Sequence, residues 1–162
     1  MHPHKDHEIP PPFNGNSGAI LQWKMRNIAH VRMHVISAML SEYGLYYTHP
    51  RILGTILYHD GATQKELADE MNTSPAAMSA SIKRMQKAGL IEKIADESDN
   101  RINIIKLTEK GRSVHDDTFD KTLAIDKRTL EGFSDAEIAE LFAYLDRIQQ
   151  NIDQMKGKEK NT

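Results

Sequence analysis

The sequence predicts a mostly α-helical fold carrying one small β-hairpin, and three observations lead there. Apolar residues recur at three- and four-residue spacing through most of residues 19–156, the period of a helix with one buried face. Ser, Thr and Pro stand where these stretches begin and Gly stands where several end, so the helices have chemical boundaries. One segment changes character: "LIEKI" and "INIIKL", rich in isoleucine, flank the polar, turn-forming "ADESDNR".

Taken in order, residues 1–18 carry His, Pro, Gly and Asn with almost nothing to bury, and read as a flexible arm. His2, His4 and His7 in it are able to bind a divalent metal, but a loose polar tail accounts for them as well. From Ala19 to about Tyr43 there is no Pro or Gly, and Ile28, Val31, Val35 and Met39 keep helical spacing. That is a helix on the order of 35 Å long at ~1.5 Å per residue. Gly44 ends it. In "HPRILGTILYH", Pro50 suits a first helical turn and Ile52, Leu53, Ile56 and Leu57 form a stripe, with Asp60-Gly61 closing the second helix.

"TQKE" matches a capping box, Thr63 with Glu66, opening a short helix that carries Leu67, Ala68 and Met71. "NTSP" breaks it; Ser74 caps a fourth helix with Pro75 at its first position, and Gly89 ends that helix. After the hairpin, Thr108 caps a fifth helix running to about Leu130. "SDAE", a second capping box, opens a sixth, in which Ile138, Leu141, Phe142, Leu145, Ile148 and Ile152 share a face. Residues 157–162 are expected to form a disordered tail.

Composition narrows the function. With 162 residues, 39% hydrophobic and 27% charged, the chain suits one ordinary globular domain. Its formal net charge of −2 means that any nucleic-acid binding must come from positive charge gathered locally. The absence of cysteine removes disulfides, thiolate metal sites and peroxide sensing by a thiol. No apolar run reaches the roughly 20 residues needed to span a bilayer, and the first residues lack the apolar core of a signal peptide, so a cytoplasmic location is expected. No Gly-rich phosphate loop, nucleophile signature or H-E-x-x-H motif stands in the chain, and an enzyme is not expected. The acidic pair Asp116-Asp117 is the solvated face of the fifth helix.

A short capped helix, a three-to-four-residue turn, a second helix and a hairpin make a winged helix-turn-helix order. The second of those helices, "SPAAMSASIKRMQK", is unusual in its distribution of size. Met78, Ile82 and Met85 give it one anchoring face, while Ala76, Ala77, Ser79 and Ala80 are very small. A helix that enters a major groove needs such a narrow N-terminal face, so that its backbone can approach base edges and phosphates. Lys83, Arg84 and Lys87 then supply charge farther along. At the hairpin tip Arg101 suits the negative potential of a narrow minor groove. Asp96, Glu97 and Asp99 beside it do not, although Asp99 could orient the arginine by an ion pair.

The stretch "TQKELADEMNTSPAAMSASIKRMQKAGLIEKIADESDNRINIIKLTEKG" resembles the DNA-binding core of MarR-type transcriptional regulators. Three motifs carry the resemblance: the Q-x-E-L-A helix start, the K-x-G-L-I exit, and the D-x-x-D-x-R wing followed by L-T-x-x-G. It implies a single domain over about 19–156, with a winged helix over about 48–112 and dimerisation helices over about 19–43 and 113–156. The base-reading surface it implies falls on Pro75, Ala76, Ala77, Ser79 and Ala80, and the wing arginine on Arg101. Thr73 and Ser74 then become phosphate contacts, and Lys83 and Arg84 phosphate or base-edge contacts. Many members have a long polar or basic side chain where this chain has Pro75 and Ala80, which shifts weight from bidentate base readout to thymine methyls and DNA shape.

The implied partners are double-stranded DNA with a pseudo-palindromic operator, a second copy of the chain, and a small effector; the implied action is that of a repressor. The dimer has a physical argument too, because the first and last helices carry more apolar face than a small reader needs to cover. For an effector pocket the candidates are His30, His34, Tyr47 and Arg51, with Tyr43 and Tyr46 near by in sequence, though packing between copies would explain the tyrosines equally well. His30 and His34, one helical turn apart, have a spacing able to hold a metal; His49, His115, Asp116 and Asp117 are other ligand types, which the sequence does not place near them. Hydrogen-bonded structural roles are the simpler expectation, and neither a metal nor another cofactor is expected. His59, near a helix end, suits the C-terminal dipole. The competing reading is a winged-helix module that binds a protein partner instead of DNA.

Overall fold

The computed structural model describes residues 15–95 and 103–159, with side chains as far as Met155. Its order is α1 (Ser17–Ser41), α2 (His49–Tyr58), β1 (Ala62–Thr63), α3 (Gln64–Glu70), α4 (Pro75–Lys87), β2 (Ile91–Ala95), β3 (Asn103–Leu107), α5 (Glu109–Arg128) and α6 (Asp135–Glu159). The chain divides into two compact units, one ending at Thr122 and one starting at Leu123. The fold class is the expected one, mostly helical with a β-hairpin.

α1 begins two residues earlier than its apolar pattern suggests, because the Asn16 side chain accepts the Ala19 amide at 3.0 Å and caps it. It closes with Gly44 in the left-handed region and the Leu45 amide donating to the Leu40 carbonyl at 3.0 Å. Its buried residues are Ile36 and Leu40, whereas Ile28, Val31 and Val35 of the sequence-read stripe are exposed, Ile28 to 67%. The helix is apolar on more than one face, so periodicity alone could not choose the face that meets the chain's own core.

That core gathers Leu40, Leu45, Ile52, Leu53, Ile56, Leu67, Met78, Ile82, Met85, Leu90, Ile91, Ile105 and Leu107. The sheet has three strands, not two, in the order β1-β3-β2. β2 and β3 pair antiparallel from Ile91 opposite Leu107 to Ala95 opposite Asn103, and β1 sets Ala62 and Thr63 against Ile105 and Ile104. Two residues are too few to show a period of two, which hides β1 from sequence inspection. Gly61 before it, at φ +120°, brings the backbone so close to β3 that a methyl there would lie 2.7 Å from Ile104 Cγ2.

The end of α4 and the start of α5 are tied together. Gly89 adopts φ +71°, and the Leu90 amide donates to the Met85 carbonyl at 3.0 Å, ending α4 in a left-handed turn. The Thr108 hydroxyl donates to the Gly89 carbonyl at 2.7 Å and accepts the Gly111 amide at 3.0 Å, so one side chain caps both helices. Lys110 donates to the Ala88 carbonyl at 2.8 Å, and the Thr108 amide to the Leu90 carbonyl at 3.1 Å. Gly111 is where the two backbones touch: a Cβ there would lie 1.9 Å from the Leu90 carbonyl oxygen.

In the unit from Leu123, α5 ends at Arg128 and successive turns to Phe133 replace its last predicted residues. The Ser134 amide donates to Glu137 at 2.8 Å, completing the expected capping box for α6 and, with the Ser134 hydroxyl, holding the Glu137 carboxyl below its ordinary pKa. None of the apolar residues of α6 is fully buried within the chain; Phe142 is 51% and Met155 65% exposed. Among the described residues no helix is long and apolar enough to cross a membrane.

Two tests follow from these contacts. Gly→Ala in an open helix position gains up to about 1 kcal/mol, but Gly111→Ala forces the backbones apart and should cost ~3 kcal/mol or more in a urea titration. His49 is 1% exposed, and burial pulls its pKa below the ordinary value. Well above pH 6.5 it is neutral folded and unfolded, so it adds no pH dependence there. Below that the unfolded chain takes up a proton which the folded chain resists, so stability falls as pH falls, by at most ~1.4 kcal/mol per pH unit. Urea midpoints of the unmodified chain and His49→Gln at pH 7.5 and 5.5 should differ in this slope, the variant being flatter.

Candidate functional site

The local chemistry of residues 63–90 fixes a short helix, a tight turn and an exposed helix. Thr63 donates its amide to Glu66 at 2.7 Å and accepts the Glu66 amide at 3.2 Å, the capping box of α3. The Thr63 amide and then its hydroxyl hold the Glu66 carboxyl below its usual range. α3 stops because Asn72 enters the left-handed region at φ +49°, which lets the Thr73 amide donate back to the Ala68 carbonyl at 3.0 Å. Ser74 then accepts the Ala77 amide at 3.2 Å, and Pro75, which needs no amide partner, begins α4.

On α4, Met78, Ile82 and Met85 are buried to 1% exposure or less. Thr73, Ser74, Pro75, Ala76, Ala77, Ala80, Lys83 and Arg84 are exposed, and Ser79 is half-buried. At about 100° per residue, Ala76, Ala80, Lys83 and Lys87 stand opposite the anchoring face. Ala77 and Arg84 occupy a flank. The Arg84 guanidinium lies 4.0 Å from the centre of the Tyr46 ring, and that ring meets buried His49 edge to face at 5.3 Å. The Tyr46 amide donates to His49 Nδ1 at 3.3 Å, which suits the neutral imidazole. Arg101, with Asp96, Glu97 and Asp99, lies outside the described residues, as do His2, His4 and His7.

Beside α4 is a cavity of about 580 Å³, lined by residues of α1, α2, the α3–α4 turn and α4 itself. Of the four expected pocket residues it contains Tyr47 and Arg51 but not His30 or His34, which stand on the exposed part of α1. Arg32 takes their place and donates to the Tyr47 hydroxyl at 3.3 Å. Arg32, Ile36 and Leu40 are four residues apart, so the arginine continues the buried stripe of α1 once tertiary contact has set which face that is. Asn72, Thr73, Ala77, Met78 and Ser81 also line the cavity, so its wall is the back of the helix-turn-helix. Arg51 donates to the Glu70 carbonyl at 3.4 Å and also borders a second recess of about 420 Å³ with Tyr58, Glu70, His115 and Phe119.

The remaining titratable candidates are dispersed. The Tyr43 hydroxyl donates to Asp117, and Lys121 donates to both. Tyr43 first, and Lys121 second, hold the Asp117 carboxyl below its normal range, while Tyr43 and then Asp117 raise Lys121. His115 contacts Asp116 at 3.0 Å, and His59 contacts Glu70 at 3.3 Å. Among the described residues no three His, Asp or Glu side chains converge on a point where a metal could sit.

Comparison with known proteins agrees with this architecture. The MarR family model matches residues 43–102. The chain is 28% identical over 104 residues to the HTH-type transcriptional regulator YdgJ of Bacillus subtilis (strain 168), covering 64% of this chain and 63% of YdgJ; it thus spans less than two thirds of that relative. A MarR family protein from Bacillus stearothermophilus superposes with a TM-score of 0.71 at 25% identity, over 86% of this chain and 98% of that one. The S. aureus MepR–DNA complex shares the fold, with a TM-score of 0.65 at 19% identity over 82% of this chain and 97% of MepR. With its capped short helix, left-handed turn, small-faced second helix and three-stranded sheet, the chain has the winged helix-turn-helix fold of MarR-type proteins, and the MarR family model matches it across that region.

Proposed function

We propose that the protein is a dimeric, sequence-specific DNA-binding regulator of transcription, a repressor whose hold on its operator is altered by a small effector. The observation that carries this reading is the bare edge of α4: Pro75, Ala76, Ala77 and Ala80 are all exposed. The helix propensity of alanine accounts for part of that edge, but a helix that must seat in a groove also needs its narrowness. Ser74 and the first amides of α4 suit a phosphate, and Lys83 and Lys87 extend a positive strip along the same side. MepR, whose fold this chain shares, is seen in complex with DNA.

A second copy is supported by surface that one copy leaves uncovered. Ile28, Val31 and Val35 of α1 are exposed, as are Phe142, Leu145, Ile152 and Met155 of α6. A two-fold pair would offer two α4 helices to successive major grooves, roughly 34 Å apart. The effector is supported by the cavity, since an occupant would touch Asn72 and Thr73 of the turn and Ala77 and Ser81 of α4 as well as Arg32 and Tyr47. The competing reading, a module that binds protein through the same edge, draws on the net charge of −2.

Salt dependence separates them. Binding to an operator fragment should weaken steeply between low and moderate salt, and Lys83→Ala and Arg101→Ala should each weaken it by about 1 kcal/mol and lower the salt slope by about one. Unchanged binding in both variants would count decisively against DNA reading. Arg84 supplies a finer test, because Tyr46 holds its guanidinium. Tyr46→Ala should weaken binding a few-fold when Arg84 is present and have no added effect in an Arg84→Ala background, as a double-mutant cycle by mobility shift would show.

A further inference from the structure

His30 and His34 belong neither to the bare edge of α4 nor to the cavity lining. They stand one turn apart on the exposed side of α1, with their Nε2 atoms 3.1 Å apart and their rings edge to face at 4.4 Å between centroids. We propose that these two imidazoles form a binding site for a late first-row divalent ion, of the Ni²⁺, Cu²⁺ or Zn²⁺ class.

Two imidazole nitrogens bind such an ion at about 2.0–2.1 Å each, and at their separation of 3.1 Å they subtend about 98° at it. That angle lies between the octahedral and tetrahedral values, so neighbouring coordination positions can be filled without moving the backbone. The backbone is also fixed in advance. Both residues lie inside the unbroken helix Ser17–Ser41, which holds the i and i+4 side chains on one face, so the ion need not order a loop to find its ligands.

The chemistry sets the class of ion. Imidazole favours nickel, copper and zinc over magnesium and calcium, which prefer oxygen. In the metal-free pair one Nε2–H can point to the other Nε2. Binding needs both Nε2 lone pairs, so that imidazole carries its proton on Nδ1 instead; the change is a tautomer shift with no net proton released. Because both rings are exposed, water fills the positions that the protein leaves open. No carboxylate joins them among the described residues, so the site is a two-ligand chelate and not a closed cage.

The test is calorimetric titration of Ni²⁺ into the full chain at pH 7.5. It is repeated with His30→Ala, with His34→Ala, and with a variant in which His2, His4 and His7 are all alanine. The expected result is one equivalent bound per chain, abolished in each α1 variant and kept in the N-terminal variant. Alanine at an exposed helical position preserves the helix, so circular dichroism should show all variants folded alike. Retention of the one-equivalent binding by either α1 variant overturns the proposal, as does absence of binding by the unmodified chain. Loss in the N-terminal variant also overturns it, by assigning the ion to those histidines.

Discussion

The joint between α4 and α5 is the constraint on which the rest of the reader depends. Helix α4 ends with carbonyls that its own ladder cannot satisfy, and it ends beside the strand that begins the wing. Thr108 and Lys110, from the far side of the hairpin, donate to the carbonyls of Gly89 and Ala88. The Gly89 turn closes α4 locally, but the carbonyls of Ala88 and Gly89 receive their donors only when β3 has returned alongside β2, which couples the helix end to the hairpin. Gly111 allows it, since its missing side chain is the space taken by the Leu90 carbonyl. The direction in which α4 projects is thereby fixed relative to the strands that lead into the wing, by backbone contact instead of adjustable side-chain packing.

From that joint, α4 presents three faces with three roles. Met78, Ile82 and Met85 hold it to the core; Ala76, Ala80, Lys83 and Lys87 face outward; and Ala77, Ser81 and Arg84 form a flank toward the cavity and Tyr46. Movement of the flank cannot leave the outward face in place, because both are cut from one rigid helix. The Tyr46–His49 contact extends the flank to the start of α2, where burial lowers the pKa of the imidazole and its Nδ1 accepts from the Tyr46 amide. The Tyr46 ring thus links the α1–α2 connection directly to Arg84.

Much of this was legible before the structure, and the exceptions have physical reasons. The two capping boxes, the Ser74-Pro75 start and the Gly44 and Gly89 stops are local chemistry, settled by residues three or four apart, and each stands where its pattern put it. Which face of α1 is buried was not legible, because Ile28, Val31 and Val35 are as apolar as Ile36 and Leu40; only tertiary contact distinguishes them. β1 was missed because its pairing with β3 spans over forty residues and its two residues carry no period. The placement of His30 and His34 near the cavity failed for a related reason. Helical spacing brought the two rings together correctly, but it cannot say which way a shared face points, and Arg32 two residues on marks the inward direction.

The distribution of charge on α4 supplies the last step. The N-terminal half of the helix has no charged side chain, and Lys83, Arg84 and Lys87 all lie in the C-terminal half, with Arg84 and Lys87 in its last turn. Those cations favour the helix C-terminus itself, so part of their presence is explained without any ligand. The uncharged half is not explained that way, since an acidic first turn would stabilise the N-terminus and none is present. Forgoing that stabilisation makes sense where a phosphate approaches, because a carboxylate there would repel it. With few cations per copy, phosphate contacts from one α4 give only weak, unspecific attraction. On the proposed reading, two copies held at a fixed spacing make the second contact intramolecular, and a modest strip of charge then suffices for an operator that matches both helices.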